Sequence, residues 1–445
     1  MTTSEVTPLP FNFRSIVQHM SDLFETLPDA RRGENSRYRI KDAAMSAFGV
    51  FFTQCPSFLE FQRRMQDAQG CSNAQTLFGA FAIPSDNQIR NLLDPISPAT
   101  VAPLFDEWAQ ALYRQGNLDG HRHMGALLLA LDGTEYFHST RVHCDNCSTK
   151  VKAGTTHYHH TALTPVLVAP GQHRIVPLAP EFIYPQDGTE KQDCELRAAG
   201  RWLDRWGAHY ASWRIMVLGD DLYAHQPFCQ RLLELGFGFI LTCKPTSHHA
   251  VYEWVAELER LGKVSTVQRR YWTGKTHRTD TYRFLNGVPL RGTADALEVN
   301  WCELVSTSAA GKVLFRNDWI TPLPISRENV AEIALAGRTR WKIENENNNA
   351  LKHGGYHFEH NYGHGKSHLA SLLATLILLA FALHSILDWI DLRYQALRQK
   401  GLARMAFFSD LRTLLNYQCF ASWDQFMAFM RNPGHDATVP KLKSY

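Results

Sequence analysis

The sequence predicts a mixed α/β fold carrying a helical N-terminal part. Three observations predict it. Between residues 121 and 245, short apolar runs and amphipathic stretches follow one another as three strands, helix, strand, helix, strand. Two of the apolar runs end in acids, "GALLLALD" at Asp132 and "WRIMVLGDD" at Asp220 and Asp221. Residues 1–120 instead carry apolar residues at helical spacing.

Taken in order, "SIVQHMSDLFETL" and "ATVAPLFDEWAQALYRQG" read as amphipathic helices. Between them "IPSDNQIRNLLDPI" sets Ser85 three residues before Gln88, a capping box. Arg31, Arg32, Arg37, Arg39 and Lys41 form a basic cluster, yet residues 1–120 hold 10 Lys/Arg against 13 Asp/Glu. That balance argues against a simple basic DNA-binding module. In 121–245, "THYHHTALTPVLVAP" and "HRIVPLAPEFIYP" are β-rich and broken by prolines. "DCELRAAGRWLDRW" and "QPFCQRLLELG" are helices, and "FGFILTCK" is a further strand. Residues 246–336 form a β-rich insertion, with "YRFLNGVPL", "VNWCELVST" and "KVLFRNDWI" as strands and a hairpin turn at Ala310-Gly311. Within it, residues 263–291 hold seven basic residues and one acid, Asp280; Arg269, Arg270 and Lys275 are its candidate contacts to an anionic polymer. Helices resume over 337–400, and 401–445 is a helical and polar tail.

With 445 residues, 44% hydrophobic and 20% charged, the chain can bury a large core. A net charge of +3 favours an acidic partner only weakly. Nine cysteines include one close pair, and the start "MTTSEVTPLPFNF" has no secretory pattern; together these predict reduced thiols and a cytoplasmic protein. "LASLLATLILLAFAL" spans 15 residues, fewer than the roughly 18–20 of a membrane span, and predicts a buried helix with no membrane.

The chemistry gathers around "RTRWKIENENNNALKHGGYHFEHNYGHG", which puts Glu344 among bases and amides. Asparagine disfavours helix, so four in five positions call for another reason. Asp132 and Asp220 at strand ends, with Glu344 on a helix, make three hard oxygen donors suited to a pair of Mg²⁺ ions. Arg340 shares a helical face with Glu344 and Asn348, and with Lys342 and Lys352 it supplies donors for phosphate. Asp220 is preferred to Asp221 because it comes first after the strand.

On the motifs "LDGTEY", "LGDDLYAHQPF" and "RWKIENENNN", residues 125–390 resemble the DDE transposases of bacterial insertion sequences. The resemblance implies a ribonuclease-H-like mixed sheet with a β insertion. It also implies Mg²⁺-dependent (or Mn²⁺-dependent) cleavage and joining of transposon-end and target DNA by a homo-oligomer on paired ends. One branch has a tyrosine–arginine–glutamate–lysine signature; Arg340 and Glu344 match it. Gly337 and Leu351 stand at the tyrosine and lysine places, with Lys352 one step on. The alternatives are a nuclease without strand transfer and an inactive DNA-binding descendant.

A further motif, "HCDNCSTKVKAGTTHYHH", offers Cys144 and Cys147 with His157 and His159 as candidate zinc ligands; His160 follows directly. His353, His357, His360, His364 and His368 recur at helical spacing, but Gly354, Gly355, Gly363 and Gly365 predict a loop rather than a helical metal stripe.

Overall fold

The computed structural model describes residues 11–29, 31, 37–65, 72–185, 194–399, 404–432 and 441–442. Its strands, in chain order, begin with β1 (Leu127–Ala130), β2 (Gly133–Ser139), β3 (Ser148–Lys152), β4 (Thr155–Leu163), β5 (Val166–Val168), β6 (Val176–Pro177) and β7 (Glu181–Ile183). They continue with β8 (Ile215–Gly219), β9 (Gly238–Thr242), β10 (Ser265–Trp272), β11 (His277–Pro289), β12 (Glu298–Ser308) and β13 (Val313–Thr321).

β1 and β8 are buried at every position and pair in parallel, with β9 parallel beyond β8. Strands covered on both faces need unbroken apolar sequence, which is why these runs lack alternation. β5 lies antiparallel on the other side of β1, followed by β6. The strands of 246–336 do not form a sheet of their own. β13 pairs with β9 through Trp319 and Ile320, so the central sheet runs through nine strands in the order β10-β11-β12-β13-β9-β8-β1-β5-β6. The turn expected at Ala310-Gly311 closes the β12–β13 hairpin, Gly311 taking φ +78°. β2, β4, β3 and β7 make a second, antiparallel sheet.

The helical part contains Phe13–Glu25, Ile40–Phe52, Phe58–Met65, Asn73–Phe78, Asp86–Leu93 and Pro103–Arg114, and the Ser85–Gln88 capping box is formed. Helix Leu369–Ile390 runs for 22 residues, longer than the apolar run read from sequence, and is long and apolar enough to cross a membrane. However, 94% of its most apolar window is buried within the protein, packed on Ile40–Phe52, Pro103–Arg114 and β6. A helix apolar on every face is a core helix when other elements surround it. The expectation of wholly reduced thiols fails at Cys419, which is disulfide-bonded.

Candidate functional site

The parallel register of β1 and β8 sets Ala130 opposite Leu218, and the Leu131 N–H continues the ladder to the Leu218 carbonyl. Two residues further on, Asp132 and Asp220 leave the sheet level with each other. Asp220 accepts the Leu222 N–H at 2.9 Å. Asp221 turns away: its carboxylate accepts the Lys244 N–H at 2.6 Å, pairs with His248 at 3.3 Å and binds the Ser247 hydroxyl. Asp221 thus fastens the loop after β9, and Asp220 is the acid that faces Asp132.

The asparagine run now has a physical account. Asn348 Nδ2 donates to Asp132 Oδ2 at 3.0 Å, and buried Asn347 donates to Asn348 Oδ1 at 2.9 Å and Thr164 Oγ1 at 3.3 Å. The Thr164 N–H in turn donates to the Asp132 carbonyl at 3.0 Å. Both amides therefore seat the π-helical segment Ile343–Asn348 on the end of β1. Such wide turns recur at functional sites. Glu344, on this segment, has 51% of its side chain exposed and accepts from Arg340 Nη2 at 2.7 Å.

A fourth acid, Glu195, joins them; the sequence reading missed it. It opens helix Glu195–Tyr210 and accepts the Tyr223 hydroxyl at 2.5 Å. A Cβ at position 133 would meet its Oε2, so any larger residue there would have to displace the Glu195 carboxylate. The signals were Gly133 directly after Asp132 and Tyr223 three residues after Asp220. Burial, then the charge of Glu195, pushes Asp132 up to about 7; Glu344 and Asp220 add to the rise and Arg340 opposes it. Burial also raises Glu195, against the Tyr223 hydrogen bond. Asp132, Glu195 and Glu344 lie within electrostatic reach of Arg340, but among the described residues the carboxylate oxygens do not gather into a metal-ligating group; the one such group is formed by cysteines and histidines.

The donors expected to meet phosphate divide. Lys342 is buried, with Nζ on the Gln172 carbonyl at 2.6 Å, and Asn348 is spent on Asp132, so neither is presented to a polymer. Lys352 pairs with Glu359 at 2.8 Å. The signature departures follow from packing: a Cβ at Gly337 would lie 2.5 Å from the Trp319 indole nitrogen, and Leu351 is a core residue. Arg269, Arg270 and Lys275 are exposed on the β10–β11 hairpin, beside exposed Tyr271 and Trp272.

The candidate zinc ligands are corrected. Cys144 and Cys147 meet His160 and His364, all four donor atoms lying within 4.8 Å of one another; His157 and His159 are not among them. Alternate residues of a strand point to opposite faces, so 157 and 159 share the face that 160 does not. His157 instead bonds His138 at 2.9 Å. Hydrogen bonding from Cys147 pulls the Cys144 thiol far down, with His160 and His364 acting in the same direction, while Cys147 rises as the partner holding the proton. The expected loop at 354–368 is present, with Gly355, Gly363 and Gly365 at positive φ; His364 is the one member of that histidine series in the cluster.

No protein-family model matches the chain, and no curated protein matches it significantly.

Proposed function

We propose that this chain is a DDE transposase with a ribonuclease-H-like core, cutting transposon ends and joining them to target DNA as a homo-oligomer. The observation that carries the reading is the convergence of Asp132 and Asp220, level on adjacent parallel strands, with Glu344 on a segment tied to Asp132 by Asn348. Strand ends of an α/β sheet are where such groups are held rigidly and reach solvent. Asp132, Asp220 and Glu344 would hold Mg²⁺, which when bound as a pair activates an attacking oxygen and stabilises the leaving one. Asn348 orients Asp132, and Tyr223 orients Glu195 at the back of the site. Arg340 balances the acids and stands beside Glu344, the most exposed carboxylate of the triad, where a phosphate would enter. The exposed basic hairpin β10–β11 is suited to the DNA backbone. The Cys/His cluster offers softer donors that suit zinc rather than Mg²⁺.

The test uses duplex DNA carrying the repeats that flank the gene, with Mg²⁺ and a target plasmid. Cleavage that frees a 3′-hydroxyl, followed by its joining to the plasmid, is the expected result. Cleavage without joining would make the protein a nuclease, and DNA binding without cleavage in Mg²⁺ or Mn²⁺ would overturn the enzymatic reading.

A further inference from the structure

We propose that Cys144, Cys147, His160 and His364 hold one structural zinc ion that fastens the loop following the Glu344 segment to the sheet following Asp132. This site stands on its own residues and does not require the transposase reading.

The first argument is geometric. Zinc takes sulfur at about 2.3 Å and nitrogen at about 2.0–2.1 Å in a tetrahedron, which sets ligand separations of about 3.8 Å for S–S, about 3.5 Å for S–N and about 3.4 Å for N–N. The Cys144 and Cys147 sulfurs are 3.8 Å apart. His160 Nε2 is 3.4 Å from each sulfur and 3.4 Å from His364 Nδ1. Four side chains from three separate segments thus match four of the six edges of one coordination tetrahedron, and the remaining two, from His364 to the sulfurs, lie within 4.8 Å. Both cysteines are free thiols rather than a disulfide, as thiolate ligation requires.

The second argument is the support around the ligands. The Cys144 N–H points at Cys147 Sγ at 3.4 Å, a turn that aims both sulfurs inward. Tyr136 stacks on the His160 ring and Phe137 meets His364 edge-on, fixing both imidazoles. Cys147 and His160 are buried. With four protein ligands no position remains for a reacting water, so the site is structural.

The third argument is what the site joins. The loop with His364 connects the Glu344 segment to helix Leu369–Ile390. Asp94 of the helical part accepts the N–H groups of Lys366, Ser367 and Leu369 at 2.9–3.2 Å. Asn146, inside the Cys144–Cys147 turn, donates to the Ser367 carbonyl at 2.7 Å. Gly365 takes φ +64°, and a Cβ there would collide with Asp94 Oδ1. The loop is therefore gripped from the helical part on one side, and the ion grips it from the second sheet on the other.

The test measures zinc in full-length protein purified under reducing conditions without added metal. One zinc per chain is expected in the wild type and in the His157→Ala, His159→Ala double variant. Zinc should be lost in Cys147→Ser and in His364→Ala. Should those variants fail to fold, wild-type protein reloaded with Co²⁺ reports the ligands directly, through thiolate-to-cobalt charge transfer and intense tetrahedral bands. Chelation should lower Tm by ~10 °C, the scale of losing a ligand held at a large excess over its Kd. A wild type with neither zinc nor a thiolate–cobalt spectrum overturns the proposal, as does zinc retained without His364 but lost without His157 and His159. Neither readout involves DNA, so a failure here leaves the carboxylate site untouched.

Discussion

Two sites flank β2. At its start, Asp132 lies within electrostatic reach of Glu195, Glu344 and Asp220; just past its end, Cys144 and Cys147 meet His160 and His364. Each draws one member from the segment between residues 343 and 365. The first site is open and built of hard oxygen donors that repel one another, and a single amide, Asn348, ties its helical segment to Asp132. The second is closed, soft, ringed by aromatics and matched in spacing to one ion. Side by side they indicate how an open, self-repelling site is kept in shape: its half-exposed acid lies on a segment whose far end is anchored elsewhere. The two sites should therefore answer to different metals and different mutations.

The largest effect should come from the acids. Asp132→Ala, Asp220→Ala or Glu344→Ala should each lower Mg²⁺-dependent cleavage ~10³-fold or more, since bound metal supplies several kcal/mol of transition-state stabilisation. Zinc content should stay at the wild-type level in all three. Asp221→Ala should cost far less cleavage, because its carboxylate is engaged with Lys244, Ser247 and His248. A dead Asp221 variant beside an active Asp220 variant would reverse the assignment.

Next comes the tie between segment and strand. Asn348→Ala should raise the Mg²⁺ concentration needed for cleavage by ~10–100-fold, the usual cost of removing a group that orients a metal ligand. A Mg²⁺ titration reads this, and an unchanged titration would mean that Asn348 only packs.

A smaller effect concerns pH. Asp132 sits at about 7, above its ordinary value of 3.8. The folded protein holds this proton more tightly than the unfolded chain does, so the contribution to stability is fully present below about pH 4 and is lost as pH rises toward 7. Mg²⁺ should therefore raise Tm more at pH 8 than at pH 5. Asp132→Asn should flatten that difference, whereas zinc chelation should lower Tm at both pH values. Calorimetry at the two pH values, with and without Mg²⁺, decides it.

The smallest effect lies outside both sites. Replacing Arg269, Arg270 and Lys275 by alanine should weaken binding alike on all DNA sequences. It should also reduce the salt slope by about 0.9 for each phosphate that is no longer neutralised. An unchanged slope would leave the hairpin as a solvated edge.

Several features were legible in the residues alone: strands before helix, strand, helix and strand in 121–245 (although seven strands, not the three expected, precede the first helix), an acid at the end of each of "GALLLALD" and "WRIMVLGDD", and the turns at Ala310-Gly311 and around Gly363. These are local: an apolar run fixes a buried strand, and a residue following it must leave the sheet. That the 246–336 strands extend the central sheet became visible only in three dimensions, because edge pairing between β13 and β9 joins residues remote in sequence. The folded chain also turned Lys342 inward to Gln172 and Asn348 onto Asp132, added Glu195 through Tyr223, and chose His160 and His364 over His157 and His159. Composition names the ligand types a segment can offer. Which of them face one another depends on strand pleat, on register and on a loop folding back across the molecule, and these follow from packing the whole core at once.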